Sequence, residues 1–76
     1  MDSKKERLIL SAAQLYYLGM ELEQSKDRIK MLVAAGVDSK SDQMRRAVNE
    51  YVTRKQNWER LEQAHLKLRD EITGTD

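Results

Sequence analysis

The sequence predicts an all-α fold: an antiparallel two-helix hairpin of coiled-coil type that completes a four-helix bundle by dimerising. Three observations carry this expectation. Leu8, Leu15, Leu22 and Ile29 recur at seven-residue intervals with Leu18 and Leu32 between them, the spacing of one apolar stripe along a helix. A second ladder follows in Met44, Tyr51, Trp58, His65 and Ile72, filled in by Leu61 and Leu68. Between the ladders stands Gly36, and the chain has no proline and only three glycines, so little else interrupts a helix.

Helix 1 is expected over about residues 4–35. Ser3 and Glu6 have the capping-box spacing, in which the serine oxygen accepts from first-turn amides and the glutamate reaches back. Gly36 can adopt the left-handed conformation that closes the helix, with Val37 as the apolar residue that follows. The turn is placed at 36–39. Asp38, Ser39 and Ser41 are all competent caps for helix 2, and Ser39 with Asp42 has the box spacing. Helix 2 should run over about 40–72, ahead of Gly74, with a frayed Thr75-Asp76 end. So short a turn makes the helices antiparallel, within a single domain spanning 1–76.

Across such a turn, residues whose numbers sum to about 75 should face one another. The seam then comprises Leu8, Leu15, Leu18, Leu22, Ile29 and Leu32 against Met44, Tyr51, Trp58, Leu61, Leu68 and Ile72. Trp58 falls beside Leu18 and Gly19. A mid-helix glycine costs about 1 kcal/mol relative to alanine, so Gly19 is expected to make room for the indole, and Gly19→Leu to destabilise. Arg54 and Lys55 interrupt the second ladder and fall near Glu21 and Glu23, which predicts either an ionic layer that sets register or, equally, two side chains that snorkel to solvent. Asp42, Arg46, Glu50 and Arg54 alternate in sign every four residues, and Lys55 and Glu59 repeat the spacing, as on a solvated face.

Helix 1 carries more apolar residues than one seam can use. Ile9, Ala13, Tyr16 and Met20, with Leu10 and Tyr17 alongside, fall opposite the leucine stripe at about 100° per residue. The helix should be apolar on both sides up to Glu21 and one-sided beyond it. An exposed patch of this kind marks an interaction site, and Tyr and Met are enriched in protein interfaces. Ile9, Leu10, Ala13, Tyr16, Tyr17 and Met20 are therefore the expected partner-binding residues. The partner is a second copy, another protein, or both. The expected role is that of a non-enzymatic adaptor, chaperone or inhibitor.

Other function classes find less support. Seventy-six residues form one small domain whose core is a marginal source of stability without disulfides, metal or association. No cysteine is present, which fits a cytoplasmic setting. Charged residues make up 36% of the chain, yet 14 basic against 13 acidic residues leave a net charge of +1. That balance disfavours nucleic acid, whose binding rests on unpaired cations. Arg45-Arg46 and Arg54-Lys55 could still meet phosphates, as in the plasmid copy-control hairpin protein that binds RNA, although Asp42, Glu50 and Glu59 are interleaved with them. A nucleic-acid-binding hairpin dimer is thus the alternative reading.

The apolar run Leu8–Met20 is shorter than the roughly 20 residues that span a bilayer. It follows Lys4-Lys5-Glu6-Arg7 as a secretory signal would, but Ser11-Ala12-Ala13 lies inside the run and the heptad phase continues through it, so it reads as helix. No membrane partner is expected. Glu62 and His65 have the Glu-x-x-His spacing of di-metal bundles, but the residues expected opposite, Ser11 and Gln14, bring no carboxylate. His65 should bond to one of them instead. No metal, cofactor, catalytic nucleophile or phosphate loop is expected.

The length, the two-helix layout and the turn Gly36-Val37-Asp38-Ser39-Lys40 resemble, over the middle third of the chain, the short co-chaperones of type III secretion needle subunits. That resemblance implies a chaperone-type hairpin. The small aspartyl-phosphate phosphatases of sporulation control are also helical hairpins and carry Ser-Gln-x-x-Asp early in helix 2. Here Ser41-Asp42-Gln43-Met44-Arg45 has a different order and lacks the acidic residue.

Overall fold

Apolar stripes on two long helices have nothing to cover them except each other, and that pairing is what forms. The computed structural model describes residues 3–74. Helix α1 spans Ser3–Ala34 and helix α2 spans Asp42–Thr73. They pack lengthwise as a helical hairpin in a rod of 55 × 15 × 14 Å, with no strand among the described residues.

The turn is built by local hydrogen bonding. Gly36 has φ +77°, a left-handed conformation that costs glycine nothing. The Gly36 amide donates to the Val33 carbonyl and the Val37 amide to the Leu32 carbonyl, both at 3.0 Å. These two bonds are the Schellman motif, and they satisfy carbonyls that the end of α1 leaves open. Asp38 Oδ1 then accepts from the Lys40 amide at 2.9 Å, an Asx turn that leads into the next helix. Ser41 is the residue that caps α2, its Oγ accepting from the Met44 amide at 3.2 Å.

The expected bounds shift accordingly. The non-helical segment covers 35–41, wider than 36–39, because the chain finishes the Schellman and Asx turns before Ser41 can cap. Ser39 and Asp42 do not act as the cap pair. Ser3, expected to cap α1 with Glu6, is already helical, and the position that caps α1 lies outside the described residues. Gly74 keeps a right-handed conformation at φ −79° and ψ −6°, and its amide donates to the Asp70 carbonyl. Thr75 and Asp76, expected to fray, also lie outside the described residues.

The seam is a continuous stripe stepping by three and four residues. On α1 it runs Leu8, Ser11, Leu15, Leu18, Leu22, Ser25, Ile29, Leu32; on α2 it runs Met44, Ala47, Tyr51, Arg54, Trp58, Leu61, His65, Leu68, Ile72. Ser25, Met44 and Ala47 are buried and the others half-buried, because one helix can cover only one stripe of another. Two contacts fix the register: Ser11 meets His65, and Gly19 lies against the edge of Trp58.

A Cβ added at Gly19 would sit 3.5 Å from Trp58 Nε1, which is ordinary contact. The gap therefore fits a methyl group and little more. Gly19→Ala is expected to raise stability by about 0.5–1 kcal/mol through helix propensity. Gly19→Leu, which must pass atoms beside the indole, is expected to fall below wild type. Thermal melts should rank alanine, glycine, leucine; leucine at or above alanine would remove the steric role of Gly19.

Candidate interaction surface

The stripe opposite the seam is the largest unpartnered apolar feature of α1. Ile9, Leu10, Tyr16 and Tyr17 are between 62% and 69% exposed and Met20 is 45% exposed, while Ala13, also exposed, lies among them. Their placement follows from sequence spacing. Relative to the seam positions Leu8 and Leu15, each is one, two or five residues further on, and a rotation of about 100° per residue turns all of them away from α2. The Tyr16 and Tyr17 rings meet edge to face, with centroids 6.2 Å apart and planes at 73°. This arrangement is favourable between aromatic quadrupoles and holds the two rings as one platform.

Beside the platform, Leu15, Tyr16, Gly19, Met20, Glu23 and Gln24 line a groove of about 470 Å³. The absent side chain of Gly19 forms part of it. A second groove of about 690 Å³ runs along α2 past Gln56, Trp58, Glu59, Arg60, Glu62 and Gln63, its lining divided evenly between polar and apolar surface. The α1 surface is thus the apolar one of the two.

The expectation that α1 becomes one-sided beyond Glu21 holds only in part. Met31 and Val33 are exposed, as are Val48 and Val52 on α2. Along α1, Met31 and Val33 are separated from the platform by Glu23, Gln24, Asp27 and Lys30. Scattered exposed apolar residues are ordinary on a protein surface.

The polar residues of the seam form two clusters. In the first, Ser11 Oγ donates to the Leu8 carbonyl at 2.9 Å and lies 2.6 Å from His65 Nδ1. A hydroxyl has one proton, so with that proton on the Leu8 carbonyl the imidazole Nδ1–H is the donor to Ser11. Of the two expected partners of His65, the structure places Ser11 in the bond. Among the described residues, no group of three or more His, Cys, Asp or Glu gathers where it could hold a metal ion. No helix of the described residues is long and apolar enough to cross a membrane.

The second cluster corrects the expected ionic layer. Arg54 does not pair with the Glu21 or Glu23 carboxylates. Its Nη1 donates to Ser25 Oγ at 2.6 Å and to the Glu21 backbone carbonyl at 3.1 Å, and its Nη2 meets Glu50 Oε1 at 3.1 Å. Glu50 Oε2 in turn meets Arg28 at 3.3 Å, across the two helices. Arg54 lies in the stripe with its stem against α1, so the nearest acceptors are a backbone carbonyl and a buried hydroxyl. Lys55, one residue on, is exposed and joins no ion pair within the hairpin. In the α2 charge series only Glu50–Arg54 closes as an ion pair, and both residues are half-buried, not on a solvated face.

No family model, curated protein or solved structure matches this chain. Sequence spacing located the platform residues, but not Ser25 at 2% exposure or Ala47 at 1%. Both stand at the three- and four-residue steps of the stripe, and that regularity was the available signal. Small side chains leave the stripe looking interrupted when only large apolar residues are counted.

Proposed function

We propose that this hairpin is a non-enzymatic protein-interaction module that self-associates or docks on a partner protein through the outer face of α1. Occupying that face would let it act as an adaptor, chaperone or inhibitor. The observation that supports this reading is the unbroken outer stripe of Ile9, Leu10, Ala13, Tyr16, Tyr17 and Met20. Apolar surface is stabilised by removal from water at roughly 25 cal/mol per Å². The hairpin's own seam is already occupied, so only another molecule can cover this stripe. Two tyrosines fixed against each other offer rigid contact area with little side-chain entropy to lose.

The test is a mass measurement by light scattering on wild type and on the Tyr16→Asp/Met20→Asp variant. Both positions are exposed, so the helical circular dichroism spectrum should not change. The expected result is a wild-type mass of twice 8.9 kDa that falls to the monomer value in the variant. A wild-type oligomer unaffected by two carboxylates on this face would refute the reading.

A further inference from the structure

The outer stripe of α1 is complementary to itself when one copy is turned antiparallel to another. We infer that its occupant is a second copy of this chain, with the two α1 helices packed about a two-fold axis near Gln14 and Leu15. This inference rests on the interaction reading above and names the partner and its geometry.

A two-fold axis at that point brings together residues whose numbers sum to 29 or 30. Ala13 of one copy then faces Tyr16 and Tyr17 of the other, and Met20 faces Ile9 and Leu10. Each tyrosine pair meets the smallest residue of the stripe, and the longer aliphatic side chains meet at the two ends. Large against small is the condition for interdigitated packing between helices, and a two-fold interface supplies it twice from one patch.

Charges at the ends of the stripe favour the same direction. Lys5 and Arg7 lie at one end and Glu21 and Glu23 at the other, all exposed, and none of the four joins an ion pair within the hairpin. Antiparallel packing sets Arg7 near Glu21 of the second copy and Lys5 near its Glu23; Glu6, exposed between those two bases, also falls near Glu23 and offsets part of the attraction, leaving the basic end still complementary to the acidic one. Parallel packing would set like charges together, which is unfavourable. From the residue exposures the stripe offers on the order of 600 Å² per copy, so the pair buries about 1,200 Å², at the small end of specific interfaces. Because the stripe lies opposite the seam, the four helices line up as a row with both α1 helices inside and both α2 helices outside.

The full chain provides the test, since it contains no cysteine and a single nitroxide can be attached at Lys30→Cys, which is exposed and beyond the overlap. Antiparallel packing places the two labels about 45 Å apart at 1.5 Å per residue, whereas parallel packing brings them within about 20 Å. In sedimentation equilibrium at low salt, Arg7→Glu should weaken the dimer about tenfold, and Arg7→Glu/Glu21→Arg should restore it. A short label distance, an unaffected Arg7→Glu or a double variant that stays weak would overturn the geometry, while the interaction reading stands if Tyr16→Asp/Met20→Asp still splits the dimer. A wild-type monomer at about 0.1 mM, where an interface of this size is still populated, would overturn the inference. The interaction reading is then decided separately by benzoylphenylalanine at Tyr17 against the control position Gln56. If Tyr17 gives no more adducts in cell extract than Gln56, that reading fails too.

Discussion

Trp58→Ala is expected to abolish most of the helical signal of this chain at about 25 °C. Trp58 sits midway along the α2 stripe with its Nε1 beside Gly19, level with Leu18 in the register fixed by Ser11 and His65. Among the described residues only Ser25, Met44 and Ala47 are buried, so the half-buried large side chains carry most of the apolar contact between the helices. Truncating a core tryptophan to alanine costs about 3–5 kcal/mol, and a half-buried one somewhat less. A two-helix domain of this size commonly has no more than about 3–5 kcal/mol in total. Far-UV circular dichroism checks this directly, with Trp58→Phe as the comparison that keeps the ring and should keep the fold. A Trp58→Ala variant that melts within about 5 °C of wild type would show that the seam does not depend on this layer.

The hairpin was legible in the sequence because its two determinants are local. A seven-residue apolar period sets the face that each helix buries, and Gly36 followed by Val37 encodes the Schellman closure. The start of α2 was less legible. Asp38, Ser39 and Ser41 are chemically similar caps, and the choice among them falls to Ser41 once Asp38 has closed its own turn on Lys40. That selection depends on backbone geometry several residues away, which the residue types alone do not carry.

The outer face of α1 was legible for a different reason. A hairpin can hide one stripe per helix, so a second stripe in the same segment is surplus, and the structure places Ile9, Leu10, Tyr16 and Tyr17 in solvent. The polar seam was harder to read. Glu21 and Glu23 looked like partners for Arg54 because opposite charges attract, yet Arg54 takes a carbonyl, a hydroxyl and Glu50 from its own helix. Within a seam, reach and direction decide which acceptor is met, and a guanidinium with five donors is satisfied by neutral oxygens as well as by carboxylates.

That cluster is expected to trade stability for a single register. Arg54→Leu leaves the buried Ser25 hydroxyl without its 2.6 Å donor, and Ser25→Ala takes that acceptor away from the Arg54 guanidinium. Each single substitution should cost about 1–3 kcal/mol. The double variant Ser25→Ala/Arg54→Leu converts the layer to an apolar one and is expected to melt at or above the wild-type temperature, since well-packed apolar residues often match or exceed a buried polar group they replace. The consequence should appear in alignment. Sliding α2 by one heptad sets Arg54 level with Leu15 or Ile29, burying a guanidinium among leucine-like neighbours. The wild-type sequence thereby disfavours such slips, whereas once Arg54 is replaced by leucine only His65 still opposes them. The double variant should show broadened or duplicated amide resonances where wild type shows one set. Destabilisation equal to the sum of the two single changes would mean that Ser25 and Arg54 are not energetically coupled, and the cluster would then owe its place to solvation of Arg54 alone.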